Sequence, residues 1–270
     1  MVSARGGHLT LTCVMLLALA AGCAVEPPRP RTREQLLEQI LAPSVKVTVE
    51  QDGRRVRTGS GVVIASRADA DAHQCFVLTS GHTLAGFTEP QQQVYIVLDR
   101  HRGKKTRVPA RVLAQRDSAD MDLALLQARA PRCPAARVGQ PPALGDAIWV
   151  VAFPWGREMT LVAGVVSQLD VESPEDGESA SRLMVDAPVS YGASGGGVFD
   201  ATTGRLVGLV EGYHTARVSF KGDATGRYID VPVPGETYVA PLAAIHRFLA
   251  ESGHLGLLGG RSPAVAQPRR

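Results

Sequence analysis

The spacing of hydrophobic residues changes along the chain and predicts where a helix gives way to strands. Between Thr32 and Pro43 apolar residues recur at helical intervals, and Thr32 with Gln35 three residues later forms a capping-box pattern. From residue 45 onward the apolar runs are short and are separated by turn residues, as expected for β-strands. The runs predicted to be strands are residues 45–49, 61–65, 75–79, 94–98, 108–113, 123–126, 147–152, 161–169, 182–186, 197–199 and 206–211.

This succession of runs predicts an all-β domain. Neighbouring runs lie about a dozen residues apart with no helical pattern between them, which favours antiparallel barrels or a sandwich over βαβ units. The 28 glycines and 18 prolines suit a chain with many turns. A second helix is predicted over residues 241–251, and the Gly/Pro/Arg-rich tail over residues 256–270 is predicted to be disordered.

The first 25 residues predict export. Arg5 supplies a positive charge, no acidic residue precedes Glu26, and residues 9–21 form an apolar stretch shorter than the roughly 20 residues that a bilayer span needs. Such a stretch is typical of a secretory signal. The segment Leu-Ala-Ala-Gly-Cys ending at Cys23 resembles the lipobox of bacterial lipoproteins. By this resemblance residues 1–22 are a signal peptide, and Cys23 is lipidated and becomes the first mature residue.

Ordinary signal cleavage near Ala21 or Ala24 is the alternative, with Cys23 unmodified or removed. In both cases the mature protein is expected outside the cytoplasm. With the lipid it would be anchored in the bacterial cell envelope, facing the periplasm or the exterior. Residues 23–33, rich in Pro and Arg, are predicted to be an extended tether. The net charge of +3 does not indicate a nucleic-acid partner.

Two cysteines remain in the predicted mature domain once Cys13 and Cys23 are set aside. Cys75 opens the predicted strand before His82, and Cys133 follows the predicted strand after Asp122. Two cysteines in an oxidising compartment can form a disulfide. Two independent small core residues are an equal alternative, and the sequence leaves both open.

A glycine-rich segment over residues 191–196, Tyr-Gly-Ala-Ser-Gly-Gly, indicates hydrolase chemistry. Glycines on both sides of Ser194 allow a tight turn that exposes the hydroxyl and lets backbone N–H groups converge beside it. The amides of Gly192 and Ser194 are the natural donors to an oxyanion in such a turn. Taken alone, a flexible glycine loop without chemistry is the alternative.

Two further segments could complete the site. An apolar strand ends just before His82, and Asp122 opens the apolar run 123–126. Singly, each residue is more often a surface group. Together with Ser194 they give the chain order His, Asp, Ser, which is the order of chymotrypsin and not of subtilisin or the α/β-hydrolases.

The whole order of motifs resembles the HtrA/Deg-type and other trypsin-like bacterial serine proteases. Residues 58–62 look like the Gly-Ser-Gly-Val opening of that family, and residues 185–187 are similar to its Thr-Asp-Ala. Residues 151–156 and 164–167 resemble its Gly-x-Pro-x-Gly and Gly-x-Val-Ser segments. The resemblance covers residues from about 36 to 249.

The resemblance implies two six-stranded antiparallel β-barrels with the site in the cleft between them. The protease domain would span residues 34–255, with barrel one at about 44–130, barrel two at about 145–240 and a C-terminal helix at about 241–251. The implied enzyme is a serine endopeptidase that acts on proteins or peptides and needs no metal and no cofactor. Its oligomeric state is left open.

The resemblance also implies a role for each site residue. Ser194 is the nucleophile, His82 the general base and later acid, and Asp122 the group that orients His82. Asp122 is preferred because the family's acid directly precedes its Leu-Ala-x-Leu strand. Asp117 and Asp120 are then expected to be surface loop residues.

Three departures from the family pattern change the expectations. Ala193 stands where trypsin carries an aspartate that pairs with a newly cut N-terminus, so that activation route is not expected. Gly81 replaces the alanine or asparagine common before the histidine and is expected to be tolerated. Too little chain follows residue 255 for a PDZ domain, so PDZ-driven substrate capture is not expected.

Specificity is inferred by the same resemblance. The floor of the primary pocket would be lined by Pro188, Val189 and Ser190, and its edge strand formed by Glu211, Gly212 and Tyr213. The floor carries no acid, so a small or medium apolar residue before the scissile bond is expected rather than Lys or Arg. The direction of the Glu211 charge is left open. The alternative function is a catalytically silent binding or scaffold lipoprotein with a protease fold, against which the complete triad argues.

Overall fold

A computed structural model gives the structure of the chain and describes residues 31–98, 105–118, 120–171, 182–219 and 227–258. The predicted signal peptide, Cys23, most of the predicted tether and the tail beyond residue 258 lie outside the described residues. In the ranges given, no helix is both long and apolar enough to span a bilayer.

Twelve strands in the described residues form two six-stranded antiparallel barrels, which confirms the expected fold class. The first barrel contains β1 (Ser44–Gln51), β2 (Arg54–Asp69), β3 (Ala72–Thr79), β4 (Gln92–Leu98), β5 (Thr106–Ser118) and β6 (Met121–Ala130), in the order β1-β2-β3-β6-β5-β4. The second contains β7 (Ala147–Ala152), β8 (Thr160–Val171), β9 (Arg182–Val185), β10 (Gly197–Asp200), β11 (Leu206–Ser219) and β12 (Tyr228–Pro241), in the order β10-β11-β12-β9-β8-β7. Each barrel closes because its outer strands pair, β1 with β4 and β10 with β7.

Strand β3 shows how the sequence fills both sides of the first barrel. Successive side chains on a strand point to opposite faces. Cys75 and Val77 belong to the cluster inside the first barrel, whereas Phe76 and Leu78 belong to a cluster shared with the second barrel and the C-terminal helix. Because both faces are buried over residues 75–78, this part of the strand is a continuous apolar run and not an alternating one. This strand carries the chain to the cleft between the barrels.

The last strand of the second barrel has no counterpart among the strands predicted from hydrophobic runs. Strand β12 begins with exposed residues and has Pro232, Pro234 and Gly235 in its middle, which interrupt the apolar pattern. It forms because its second half pairs with β11 on one side and β9 on the other, where Val239 and Ala240 are fully buried. Tertiary pairing therefore overrides a weak local signal.

In the described part of the chain two α-helices flank the barrels, α1 (Arg33–Leu41) and α2 (Leu242–Glu251). A short 3-10 helix over Leu255–Leu257 follows α2, and Leu257 is buried in the cluster between the barrels. Residues 256–258, the start of the tail that was expected to be disordered, are therefore part of the folded domain, because Leu257 packs into its core. The remainder of that tail lies outside the described residues.

Cys75 of β3 and Cys133, just after β6, are joined by a disulfide in the structure, with their Cα atoms 5.8 Å apart. The sequence had left this pairing open. The bond ties together the two strands that lead to and from the cleft residues of the first barrel.

Candidate active site

His82 and Asp122 are brought together by the pairing of β3 with β6. His82 lies in a 3-10 helix (Gly81–Leu84) directly after β3, and Asp122 is the second residue of β6. Asp122 Oδ1 accepts the backbone N–H of His82 at 2.7 Å, and Oδ2 lies 2.6 Å from Nδ1 of the ring. A carboxylate only accepts hydrogen bonds, so Nδ1 carries a proton and Nε2 is left free to accept one.

The backbone that presents His82 lies directly against β5. A Cβ atom on Gly81 would lie 1.8 Å from the carbonyl oxygen of Arg116 and 3.0 Å from Asp122 Oδ1. The side chain of Gln115 donates to the Gly81 carbonyl at 3.0 Å. Gly81 was expected to be a tolerated departure from the family pattern. The structure shows instead that the close approach of β5 requires glycine at this position.

The two other aspartates near Asp122 are exposed, and neither is hydrogen-bonded to His82 in the part of the chain that the structure describes. Asp117 was expected in a loop, but it lies within β5 opposite Asp122, because β5 and β6 remain paired as far as Ser118. Asp120 accepts a hydrogen bond from the Ser118 hydroxyl at 2.6 Å, which lowers the pKa of Asp120. The geometry therefore favours Asp122 as the partner of His82.

The glycine-rich segment forms a tight turn. The Ala193 N–H donates to the Ser190 carbonyl at 2.9 Å. Gly192 and Gly195 have φ values of +88° and +82°, a region that glycine adopts without the steric cost of a Cβ. A Cβ atom on Gly195 would lie 2.9 Å from the backbone nitrogen of Ser80. The turn that carries Ser194 thus packs onto the chain two residues before His82.

Ser60 of β2 connects this turn to the first barrel. Its hydroxyl donates to the Gly192 carbonyl at 2.8 Å and accepts the Phe153 N–H at 2.8 Å, and its own N–H donates to the Ser194 carbonyl at 2.8 Å. The side chain of Ser60 is completely buried. One residue of the first barrel therefore makes three hydrogen bonds to the second and fixes the turn.

The direction of the Gly192 amide follows from a neighbouring hydrogen bond. The Trp155 N–H donates to the Tyr191 carbonyl at 2.7 Å. In a trans peptide the N–H points opposite to the carbonyl, so the Gly192 N–H is directed away from Trp155. Among the described residues neither the Gly192 N–H nor the Ser194 N–H has a protein acceptor. Two unpaired amides in one rigid turn can both donate to an oxyanion.

Ser194 itself is half-buried in the turn. Within the described ranges the structure contains no hydrogen bond between its hydroxyl and the His82 ring. In proteins without a bound substrate such bonds are often long and tighten only in the substrate complex. His82 and Asp122 are therefore joined by hydrogen bonds, and Ser194 lies on a turn that packs against Ser80, two residues before His82.

The six residues expected to form the primary pocket fall into two groups. Pro188 is exposed, and Val189 and Ser190 are half-buried between β9 and the glycine turn. Glu211, Gly212 and Tyr213 are half-buried on β11. The pairing of β11 with β12 shifts register between Val210 and Gly212, so Glu211 is the extra residue of a bulge.

Glu211 is paired with Arg182, a residue that sequence reasoning did not select for the site. Arg182, the first residue of β9, places its Nε 2.7 Å from Glu211 Oε2. Burial raises the pKa of Glu211, while the Arg182 guanidinium opposes that change. The charge of Glu211, whose direction the sequence left open, is thus directed at Arg182.

The pKa of His82 is raised above its ordinary value. The largest cause is the hydrogen bond to Asp122, which stabilises the imidazolium and outweighs the opposing effect of burial. The charges of Asp117 and Glu211 raise the His82 pKa further. The ring is half-exposed and open to proton exchange.

Sequence reasoning missed three residues that shape this site. Ser60 was noted only as part of a motif, because a hydroxyl that links two barrels has no periodic signature. Trp155 was part of another motif, but its contact with Tyr191 depends on the left-handed backbone at Trp155, with φ +57°. Arg182 lies 29 residues from Glu211 along the chain, and the two meet because β9 and β11 both pair with β12.

The fold and the site define the class of protein to which the chain belongs. A family model of the trypsin-like peptidase domain matches residues 59–209, more than half of the chain. The chain therefore belongs to the trypsin-like peptidases. The matched range contains His82, Asp122 and Ser194.

Curated relatives place the chain near the Deg/HtrA proteases, as the motifs indicated. A probable periplasmic DegP-like serine endoprotease of Hahella chejuensis is 27% identical over 204 residues, covering 74% of this chain and 38% of the relative. The chloroplastic protease Do-like 5 of Arabidopsis thaliana is 26% identical over 200 residues, covering 72% of this chain and 58% of the relative. The chain thus spans less than two thirds of these relatives.

Solved structures show the same fold. The serine endoprotease from Yersinia pestis aligns with a TM-score of 0.58 at 19% identity, over 86% of this chain and 69% of that one. The HtrA-type protease AlgW, solved with a tripeptide, aligns with a TM-score of 0.59 at 20% identity, over 83% of this chain and 65% of that one.

Proposed function

We propose that the protein is a serine endopeptidase that cleaves peptide bonds through an acyl-enzyme intermediate. The observation that carries the proposal is the joint geometry of the histidine and the glycine turn. His82 is held at two points by Asp122 with its Nε2 left free, and the turn that carries Ser194 directs two unpaired amides. A binding module would need neither arrangement.

The chemistry follows from the protonation that Asp122 imposes. Ser194 Oγ attacks the scissile carbonyl carbon while its proton passes to Nε2 of His82, and Asp122 stabilises the imidazolium. The amides of Gly192 and Ser194 stabilise the oxyanion. The proton on Nε2 then passes to the leaving amine, which departs and leaves an ester on Ser194. Water hydrolyses the ester with His82 again acting as the base.

The residue before the scissile bond is proposed to be small or medium and apolar. A pocket that selects Lys or Arg needs an uncompensated negative charge. Among the pocket residues Glu211 is the acid, and Arg182 neutralises it at 2.7 Å. Pro188, Val189 and Ser190 add no charge. The pocket is therefore expected to accept apolar side chains better than basic ones.

The protein is also proposed to be exported and anchored by a lipid on Cys23 to the envelope of a bacterial cell. The apolar stretch and the lipobox-like segment before Cys23 support this proposal. The DegP-like relatives are periplasmic by name. Fractionation of cells that make the full chain or its Cys23→Ala variant tests it. Wild-type protein in the membrane and variant protein outside it is the expected result, and equal distribution would disprove the anchor.

Active-site labelling tests the enzymatic proposal. The mature domain is expected to react with a fluorophosphonate probe at one residue, identified as Ser194 by mass spectrometry. Ser194→Ala and His82→Ala should abolish labelling. Asp122→Asn should slow peptide hydrolysis by a factor on the order of 10⁴, since an asparagine favours the wrong ring tautomer.

Asp120→Asn is the matched control, because Asp120 is an exposed aspartate two residues away that does not contact His82. This variant should retain wild-type labelling and turnover. A folded wild-type protein that neither labels nor cleaves peptides would instead support the alternative function, a silent scaffold with a protease fold.

A further inference from the structure

Two large aromatic side chains are exposed together beside the glycine turn. Trp155 is 58% exposed and Tyr191 is 49% exposed, and their ring centroids lie 5.3 Å apart with the planes tilted by 40°. Tyr191 directly precedes Gly192, one of the two proposed oxyanion donors. Exposed aromatic pairs on a rigid support are typical of binding sites, since they offer large contact area at low entropic cost.

The backbone holds this pair rigidly. Trp155 has φ +57° and ψ +18°, a left-handed conformation that bulky residues rarely adopt. Its N–H donates to the Tyr191 carbonyl at 2.7 Å, so the two residues are linked through backbone and side chain. The next residue, Gly156, accepts hydrogen bonds from Lys46 at 3.0 Å and Arg55 at 3.3 Å of the first barrel. The rings are therefore presented by a fixed segment.

The position of the pair relative to the turn identifies which half of a substrate it would meet. On one flank of the turn the Gly195 N–H donates to the Val210 carbonyl at 2.7 Å, and the proposed pocket edge follows Val210. On the other flank the Ser194 carbonyl accepts from Ser60 of β2. The aromatic pair belongs to this second flank, because a Cβ on Gly156 would lie 2.5 Å from the Thr58 hydroxyl of the same strand.

If the substrate residues before the scissile bond lie along the proposed pocket edge, the residues after the scissile bond must cross the side of the turn that faces β2. We infer that Trp155 and Tyr191 form a subsite for a large apolar or aromatic side chain in the first two residues after the scissile bond. The inference rests on the proposed endopeptidase activity, because only that activity defines the two halves of the substrate.

Charge favours an apolar occupant over a basic one. The electron-rich faces of Trp and Tyr can also attract Arg or Lys. Here Lys46 and Arg55 both donate to the Gly156 carbonyl, next to Trp155. Glu158 is an acid close enough to interact with Lys46, and it is itself paired with Lys105 at 2.7 Å. A basic substrate residue would lie beside the cations Lys46 and Arg55, which disfavours it relative to a phenylalanine or leucine.

A peptide series tests the subsite. The substrates are internally quenched peptides with valine fixed before the scissile bond and with Phe, Leu, Arg, Asp or Gly at each of the two following positions. Cleavage sites are assigned by mass spectrometry. For the wild-type mature protein we expect kcat/KM to be roughly five- to tenfold higher with Phe than with Gly at one of these positions, as a side-chain aromatic contact allows.

In Tyr191→Ala the ratio of kcat/KM for the Phe peptide to kcat/KM for the Gly peptide should fall below about twofold. Tyr191→Phe should keep the wild-type ratio, since the ring and not the hydroxyl makes the contact. Tyr228→Ala is the matched control. Tyr228 is also 49% exposed but lies at the start of β12, outside the proposed site, so this variant should keep the wild-type ratio. A wild-type ratio near one, or an unchanged ratio in Tyr191→Ala, would overturn the inference.

Peptide binding to Ser194→Ala protein, followed by tryptophan fluorescence, separates this inference from the proposed function. Tighter binding of Phe than of Gly peptides that is lost in Ser194→Ala/Tyr191→Ala supports the aromatic site even if the wild-type protein cleaves nothing. Equal binding of the two peptides, with or without cleavage by the wild type, contradicts it.

Discussion

The Nε atom of Arg182 lies 2.7 Å from Glu211 Oε2, and both side chains are largely buried, at 16% and 13% exposure. A buried carboxylate without a partner is costly, and burial accordingly raises the pKa of Glu211. Arg182 compensates that cost from β9, which is separated from the Glu211 strand β11 only by β12. The edge strand of the proposed pocket is therefore electrically neutral only because Arg182, which is not one of the pocket residues, pairs with Glu211.

Removal of this cation should change substrate preference. In Arg182→Gln the Glu211 carboxylate loses its partner and is available to a basic side chain. We expect the ratio of kcat/KM for a Lys substrate to that for a Val substrate to rise roughly tenfold, about 1.4 kcal/mol in relative transition-state binding. Because loss of Arg182 raises the Glu211 pKa further, the gain should be larger at alkaline than at acidic pH.

Arg182→Gln/Glu211→Gln is the matched control, since it differs from Arg182→Gln only in replacing the Glu211 carboxylate by an amide of the same size. It should show no gain for Lys substrates. A Lys preference that grows equally in the single and the double variant would mean that the carboxylate is not responsible. Thermal unfolding of each variant verifies that the domain is intact.

The activity should have an acid limb set by His82. A protonated ring cannot accept the serine proton, so kcat/KM should fall as the pH decreases through the His82 pKa. That pKa is raised, first by the Asp122 hydrogen bond, so the limb should lie above the ordinary histidine value of about 6.5. The pH–rate profile measures it. His246→Asn, which changes an exposed histidine on α2, should leave the limb in place. A profile that is flat between about pH 5 and 8 would contradict the assignment.

Deprotonation of His82 should affect the stability of the fold in the direction opposite to its effect on activity. A group whose pKa is raised in the folded state binds its proton more tightly there than in the unfolded chain. Its contribution to stability is therefore complete below the unfolded pKa of histidine and is lost as the pH rises through the raised pKa of His82. Activity should increase over this interval while this contribution to stability declines.

Replacement of Ser60 should affect catalysis more than stability alone explains. Ser60→Ala leaves the Gly192 carbonyl and the Phe153 N–H buried without their partner, at a cost of roughly 1–3 kcal/mol for each unsatisfied group. The turn that carries Ser194 should then loosen, and kcat should fall at least about tenfold, the factor for a barrier change of roughly 1.4 kcal/mol.

Ser44→Ala is the matched control for Ser60→Ala. The Ser44 hydroxyl is also buried and donates to the Ile40 carbonyl at 2.8 Å, at the end of α1. Because Ser44→Ala removes one buried hydrogen bond and not two, it should lose about half as much stability as Ser60→Ala in urea denaturation, with unchanged kcat. Equal kcat values for the two variants would show that Ser60 is only a structural residue.

A single methyl group at Gly81 should disable the site. In Gly81→Ala the new Cβ meets the Arg116 carbonyl at 1.8 Å, so β5 or the His82 loop must move. Overpacking of this kind costs roughly 1–3 kcal/mol, and here the strain falls on the residue before His82. We expect slower fluorophosphonate labelling and a lower Tm. Gly256→Ala, where a Cβ would meet nothing within 4 Å, should show neither effect. Wild-type labelling of Gly81→Ala would mean that β5 adapts without cost.

Sequence reasoning predicted correctly those parts of the molecule that are marked by a local sequence pattern. Strand β3 and helix α2 are marked by the spacing of their apolar residues, and Ser194 by the glycines around it. Strand β12 was missed because prolines interrupt it and only its neighbours in the barrel hold it in place.

The supporting residues of the site were missed for a related reason. Ser60 and Arg182 act across sequence separations of 132 and 29 residues. Hydrogen bonds of that span depend on how the two barrels pack and on which strands pair, which no local pattern records. The requirement for Gly81 likewise becomes visible only when β5 is seen to pass 1.8 Å from the position of its absent Cβ.

The hydrogen bonds of Ser60 also determine when during biosynthesis the site can exist. The first barrel contains His82 and Asp122, but the turn that carries Ser194 is held by a hydroxyl from that barrel and belongs to the other. A nascent chain that has produced only its first half would hold the proposed base and its aspartate without the proposed nucleophile. On the proposed mechanism a complete site exists only once the second barrel is folded and docked, so a chain that carries the first barrel alone is expected to cut nothing.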